Sequence, residues 1–126
     1  MKEVIKKLKF KSEGIIINAP NTIEREFIKL GFLNSFDKKG KSKNTIVFVN
    51  NHKEFLAFLK TQLKKIETDS VLWFSYPKGT SGIITDINRD VLRNTALVFG
   101  LKTVTAISLD DTWSCLRLRP VALVGT

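Results

Sequence analysis

The chain has 126 residues, 43% of them hydrophobic, with 21 Lys+Arg against 12 Asp+Glu for a formal net charge of +9. That size and apolar content fit one globular domain, 1–126, exclude a disordered tail, and are short for an enzyme that must also enclose a large cofactor. No apolar run approaches the roughly eighteen residues of a membrane span, and Cys115 is the single cysteine beside one histidine, so no membrane, intrachain disulfide or metal is expected.

At the N-terminus, MKEVIKKLKF alternates lysines with apolar residues and has no continuous signal-peptide core. A cytoplasmic protein is therefore expected, with Val4, Ile5 and Leu8 on a short helix. Gly14 to Asn18 (GIIIN) is a β-branched run ended by Ala19-Pro20 and predicts a buried strand. Asn21-Thr-Ile-Glu24 has capping-box spacing, and Ile23, Phe27, Ile28 and Leu30 share one helix face up to Gly31. Beyond a loop crowded with Lys38, Lys39, Lys41 and Lys43, Thr45 to Asn50 (TIVFVN) predicts a second strand. Asn51-His-Lys-Glu54 repeats the capping box, and Phe55, Leu56, Leu59, Leu63 and Ile66 keep helical spacing through Ile66. Ser70 to Tyr76 (SVLWFSY) reads as the third strand and Asn88 to Phe99 as the helix after it. Lys102 to Leu109 and Thr112 to Arg119 read as two further strands about an Asp110-Asp111 turn.

Strands alternating with amphipathic helices predict parallel βαβ units, whereas the last two strands are too close for a crossover and predict a hairpin. The expected fold is α/β: three-layer αβα, with a five-stranded, mostly parallel sheet ending in an antiparallel hairpin.

Residues 1–66 carry 15 Lys+Arg and 6 Asp+Glu, and residues 67–126 carry 6 and 6, so the whole excess (15 − 6 = 9) lies in the first half. Lysine dominates, and aromatics are not interleaved with it as in a base-stacking platform. Solvated lysine faces are the main reading, with weak, salt-sensitive, non-specific nucleic-acid binding as the other.

In open α/β sheets, ligands gather outside the carboxyl ends of the strands, where helix N-termini point. Leu72 to Asp90 (LWFSYPKGTSGIITDINRD) lies there, and the stretch Pro77 to Ile87 exceeds the roughly two to six residues of a usual βα connection. Lys78 supplies a cation, Gly79 and Gly82 let backbone N–H groups turn toward an anion, Thr80 and Ser81 add hydroxyls, and Arg89 adds charge at the following helix. These six residues form a candidate anion-binding loop. Its spacing is neither that of a P-loop nor GxGxxG, and the competing reading is a long connection in which Thr85 or Asp86 caps the helix.

Asp86, Asp90, Asp110, Asp111, Trp113, Arg117 and Arg119 form a second constellation, read either as an internal Arg/Asp network or as polar groups of the site. Strand alternation turns Leu116 and Leu118 one way and Trp113, Cys115, Arg117 and Arg119 the other. Cys115 is disfavoured as a nucleophile, because nothing in the sequence brings His52 near it.

The run Tyr76-Pro77-Lys78, Ser81-Gly82, Thr85-Asp86 and Arg89-Asp90, followed by Asp110-Asp-Thr-Trp-Ser114 and Arg117-Leu-Arg-Pro120, resembles a family of small uncharacterised bacterial proteins classed as a domain of unknown function. The segment from Ile5-Lys-Lys-Leu8 to Asn18-Ala19-Pro20 is similar to that family too. The resemblance covers nearly the whole chain and implies no particular reaction. The element order also resembles the later part of a class I methyltransferase, which implies a Rossmann-like sheet ordered first, second, third, fifth, fourth strand. That family holds S-adenosylmethionine on a glycine-rich turn after its first strand. Here Ile17-Asn-Ala-Pro-Asn21 has no glycine, so no cofactor is expected. The functional expectation is a non-enzymatic binding or interaction module for an anionic small molecule or an acidic protein segment. The alternative is a degenerate transferase-like enzyme acting on an anionic small molecule through Lys78, Asp86, Arg89 and Asp90.

Overall fold

Three successive isoleucines, Ile15–Ile17, form the first strand in the computed structural model, which describes residues 2–12, 14–37 and 40–124. Lys38 and Lys39 of the lysine loop lie outside the described residues. In chain order the elements are α1 (Lys2–Lys7), β1 (Ile15–Ile17), α2 (Asn21–Lys29), β2 (Ser42–Phe48), α3 (His52–Thr61), β3 (Ile66–Pro77), α4 (Arg89–Val98), β4 (Leu101–Ser108) and β5 (Trp113–Pro120).

The five strands make one sheet in the order β1-β2-β3-β5-β4, the order expected. β1, β2 and β3 pair in parallel, whereas β5 runs antiparallel to both β3 and β4. The sheet is thus mixed rather than mostly parallel. The short turn from β4 sends β5 back between β4 and β3, which makes two of the four pairings antiparallel.

Alternate strand residues feed two apolar clusters, as the two-residue side-chain period of a strand requires. Ile46, Phe48, Val71, Trp73, Trp113 and Cys115 join Leu8, Ile23 and Phe27 from the α1–α2 region. Val47, Leu72, Phe74, Leu116 and Leu118 join Phe55, Phe58, Leu92 and Ala96 from α3 and α4. Phe55 and Phe58 both meet Phe74 edge-on, with ring centroids 4.9 and 5.4 Å apart. Full burial of each such ring stabilises the fold by about 1.5–3 kcal/mol.

Two helix boundaries depart from the sequence pattern. At α2 the capping box does not form: Pro20 is the N-cap, no side chain caps the end, and Asn21 is already helical. The fixed φ of proline sets the entry one residue earlier. α3 stops at Thr61, and a short 3-10 turn, Leu63–Lys65, leads to Ile66, which opens β3 instead of closing the helix.

Candidate functional site

Connections to α2, α3 and α4 leave the carboxyl ends of β1, β2 and β3, and the β4–β5 turn closes at the same end. After Pro77, the Lys78 N–H donates to the Thr112 carbonyl at 2.8 Å and ties the loop to that turn. The Lys78 ammonium donates to the Ser108 hydroxyl at 2.6 Å. The N–H and hydroxyl of Ser81 both return to the Lys78 carbonyl, at 3.0 and 2.7 Å. Gly82 follows with a φ of 82°, a left-handed conformation that favours glycine. Gly79 and Thr80 are exposed, and Ile84 at the loop tip is 98% exposed.

The far side of the loop is fastened to α3. The Thr85 hydroxyl donates to the Asn50 carbonyl at 2.6 Å, and Asp86 Oδ1 accepts the His52 N–H at 2.8 Å. Neither residue caps α4. That role belongs to Asn88, whose Oδ1 accepts the Val91 N–H at 3.0 Å. Arg89 is the first residue of α4 and stands beside the Tyr76 phenol. Burial pushes that phenol above its ordinary pKa, against the pull of Arg89 and a hydrogen bond with Ser114. Asp90 pairs with Arg93 at 3.2 Å along the helix surface.

Asn50 and Glu54, read from the sequence as strand-end and helix-capping residues, meet Asn18 in a neighbouring hub that the sequence did not reveal. Glu54 Oε1 accepts the Asn50 N–H at 3.0 Å and the side-chain amides of Asn50 and Asn18 at 3.1 Å each. Asn18 sits at a φ of 61° and also donates to the Phe48 carbonyl at 2.9 Å. Its signal was in the sequence: asparagine at a strand end is a residue type that tolerates the left-handed region.

The second constellation separates along β5. Asp110 Oδ1 accepts the N–H groups of Thr112 and Trp113 at 2.8 Å each and closes the β4–β5 turn, while Asp111 is exposed. Trp113 is buried, edge-on to Phe48 at 5.1 Å. Arg117 and Arg119 lie toward the other end of the strand, since seven residue steps from Trp113 to Pro120 span about 23 Å. There Arg119 makes two hydrogen bonds with Asp69, Nε–Oδ1 at 2.8 Å and Nη2–Oδ2 at 3.0 Å. Cys115 is fully buried, and burial, opposed by the neighbouring Ser75 hydroxyl, pushes its thiol up to about 12. His52 meets the Thr95 hydroxyl through Nε2 at 3.0 Å on the α3–α4 side, away from Cys115.

An open apolar groove of about 280 Å³, lined in part by Ile17, Val47, Val49, Ala57 and Phe58, runs beside α3, and a cavity of about 220 Å³ lies at the amino end of β3 between Leu63, Asp69, Phe99 and Pro120. Among the described residues no group of three or more His, Cys, Asp or Glu is placed to hold a metal ion, and no helix is long and apolar enough to cross a membrane. Comparison with known protein families and with curated proteins finds no match to this chain.

Proposed function

We propose that the chain is a non-enzymatic binding module that takes one anionic group, a carboxylate or a phosphate, between Lys78 and Arg89 at the loop after β3. The observation that carries this reading is a pair of cations at one loop with no ion pair to either among the described residues. Lys78 is held in place by Ser108, and the left-handed Gly82 shapes the turn between the two charges. Glu54, Asp86, Asp90, Asp110 and Asp111 belong to the same end of the sheet, and their repulsion limits the ligand to a single anionic group.

The same reading treats the domain as a three-layer αβα, Rossmann-like fold of methyltransferase-like order. Its support is the strand order and the assignment of α1–α2 and α3–α4 to separate apolar clusters. The glycine-free turn at Asn18, engaged by Glu54 and Phe48, argues against a cofactor role, so S-adenosylmethionine gives no saturable heat in calorimetry on this reading.

Melting temperatures of the wild type, Lys78→Ala and Arg89→Ala, with and without about 10 mM phosphate, sulfate or acetate, test the proposal through ligand linkage. A rise in the wild type that shrinks in both variants supports it. No anion-dependent rise in the wild type refutes it.

A further inference from the structure

Strand direction sorts the charges of this molecule by end. β1, β2, β3 and β4 point one way and β5 the other, so residues that open the first four and close the fifth share the amino end of the sheet. Lys11 precedes β1, Lys43 lies at the start of β2, Lys64 precedes β3, Lys102 lies at the start of β4, and Arg117 and Arg119 lie in the closing half of β5. On the strands at that end the carboxylates are Glu67 and Asp69, and Asp69 is already engaged by Arg119. The excess of positive charge therefore sits opposite the loop after β3.

Arg119 is paired with Asp69, but two details show that positive charge remains in excess around that pair. Lys102 and Arg119 are direct cross-strand partners on β4 and β5, where like charges repel. Arg117 Nε is buried without a hydrogen-bond partner, between Trp73 on β3 and Thr105 on β4. Helix ends account for other lysines: Lys6, Lys7, Lys29 and Lys60 fall in the last turns of α1, α2 and α3, where cations offset unpaired carbonyls. The strand-end cations have no such role.

We propose that the amino end of the sheet docks the phosphate backbone of duplex nucleic acid without reading its base sequence. Five strand ends about 4.8 Å apart spread the cations along an edge of about 19 Å, with Lys43 on the face of Val47 and Arg119 on the face of Cys115. At the rise of about 3.4 Å per nucleotide of one DNA strand, an edge of that length faces about six phosphates. Rings at this end are already occupied: Phe10 packs edge-on against Phe32 at 5.4 Å, and Phe36 lies under the Lys65 ammonium at 5.5 Å. A stacking platform for single strands is therefore missing among these rings, which favours the duplex. Carboxylates of an acidic peptide, carried on flexible side chains, answer so broad a cationic edge less well than the regularly spaced phosphates of a duplex. The inference stands apart from the loop after β3 and does not depend on it.

Fluorescence anisotropy of a short labelled duplex at about 50 and about 200 mM salt tests the docking face. The triple variant Lys43→Gln, Lys64→Gln, Lys102→Gln is compared with Arg25→Gln, Lys53→Gln, Arg93→Gln, which has the same net charge and whose changes lie on exposed helix positions. The wild type is expected to bind at the lower salt. The strand-end triple loses about tenfold or more in affinity, and its slope of log K against log salt falls by about two to three. The helix triple changes affinity by less than about threefold, as a general field effect allows. Equal losses in the two triples, no wild-type binding at the lower salt, or tighter binding of an acidic peptide than of the duplex each overturn the proposal. Should the strand-end triple fail to fold by circular dichroism, Lys64→Gln alone, on an exposed turn, decides by lowering the slope by about 0.9 or leaving it unchanged.

Discussion

Asp86 caps a helix that begins 34 positions before it: its Oδ1 accepts the backbone N–H of His52, the first residue of α3, at 2.8 Å. Asn51 serves the Glu54 N–H of the same helix end at 2.9 Å, so two of the unpaired donors there are satisfied from different segments. Asp86→Ala is expected to cost about 1 kcal/mol, as removal of a capping oxygen does. Hydrogen exchange should quicken at His52 in that variant, and at Val91 in Asn88→Ala. Urea denaturation and exchange on the two variants check both effects.

The glycines divide by what surrounds them. A Cβ on Gly14 would overlap the backbone carbonyl of Asn44, and β1 cannot yield without leaving β2. Gly14→Ala should therefore cost at least about 2 kcal/mol. Gly82 has open space but a φ of 82°, so Gly82→Ala should cost about 1–2 kcal/mol. Gly79 has open space and lies outside the left-handed region, and Gly79→Ala should stay within about 0.5 kcal/mol. Chemical denaturation of the three variants ranks them.

The Asp69–Arg119 pair predicts a pH dependence. Its hydrogen bonds with Arg119 hold the Asp69 carboxyl below the ordinary range, with burial opposing and Arg117 and Lys11 adding to the pull. A depressed folded pKa means that the stabilisation is fully present above the unfolded value, about 4, and fades as pH falls through the lower folded value. Asp69→Asn removes the charge and keeps a residue type suited to the φ of 54° found there. Wild type should exceed the variant in stability at about pH 7, and the gap should narrow as pH falls below about 4, as denaturation across that range would show.

Cys115 should resist thiol reagents while the chain is folded. Its thiol is fully buried with a pKa pushed up to about 12, so both access and thiolate are missing near neutral pH. Labelling by a disulfide dye should proceed only as fast as the chain unfolds. Rapid labelling in native buffer would contradict this.

Element order was legible because periods of two and 3.6 are local properties of the chain. Ile66 marks where that ends: it fits the helical spacing from Phe55, yet pairs with Ser42 across β2 and β3. Local pattern could not decide it, since the pairing partner Ser42 lies far from Ile66 in the sequence. At the candidate site, the turn chemistry of Lys78 to Gly82 was readable from its glycines. The contacts Lys78–Ser108, His52–Asp86 and Asn18–Glu54 were not, because they join residues 30, 34 and 36 positions apart. Counting charge by halves of the chain likewise hid its sorting by end, which depends on the direction of each strand.

The two tryptophans, Trp73 and Trp113, both belong to the apolar cluster under α1 and α2, whereas the single tyrosine, Tyr76, belongs to the cluster under α3 and α4. Indole emission is therefore a one-sided probe of this molecule. It is tied most directly to the N-terminal helix, because Trp73 Nε1 donates to the Leu8 carbonyl at 2.7 Å. Loosening of α3 and α4 would lower helical ellipticity and leave the tryptophan spectrum almost unchanged, while release of α1 would redden the emission before much ellipticity is lost. Coincident fluorescence and circular dichroism melts would accordingly mean that both faces of the sheet are shed in one cooperative step.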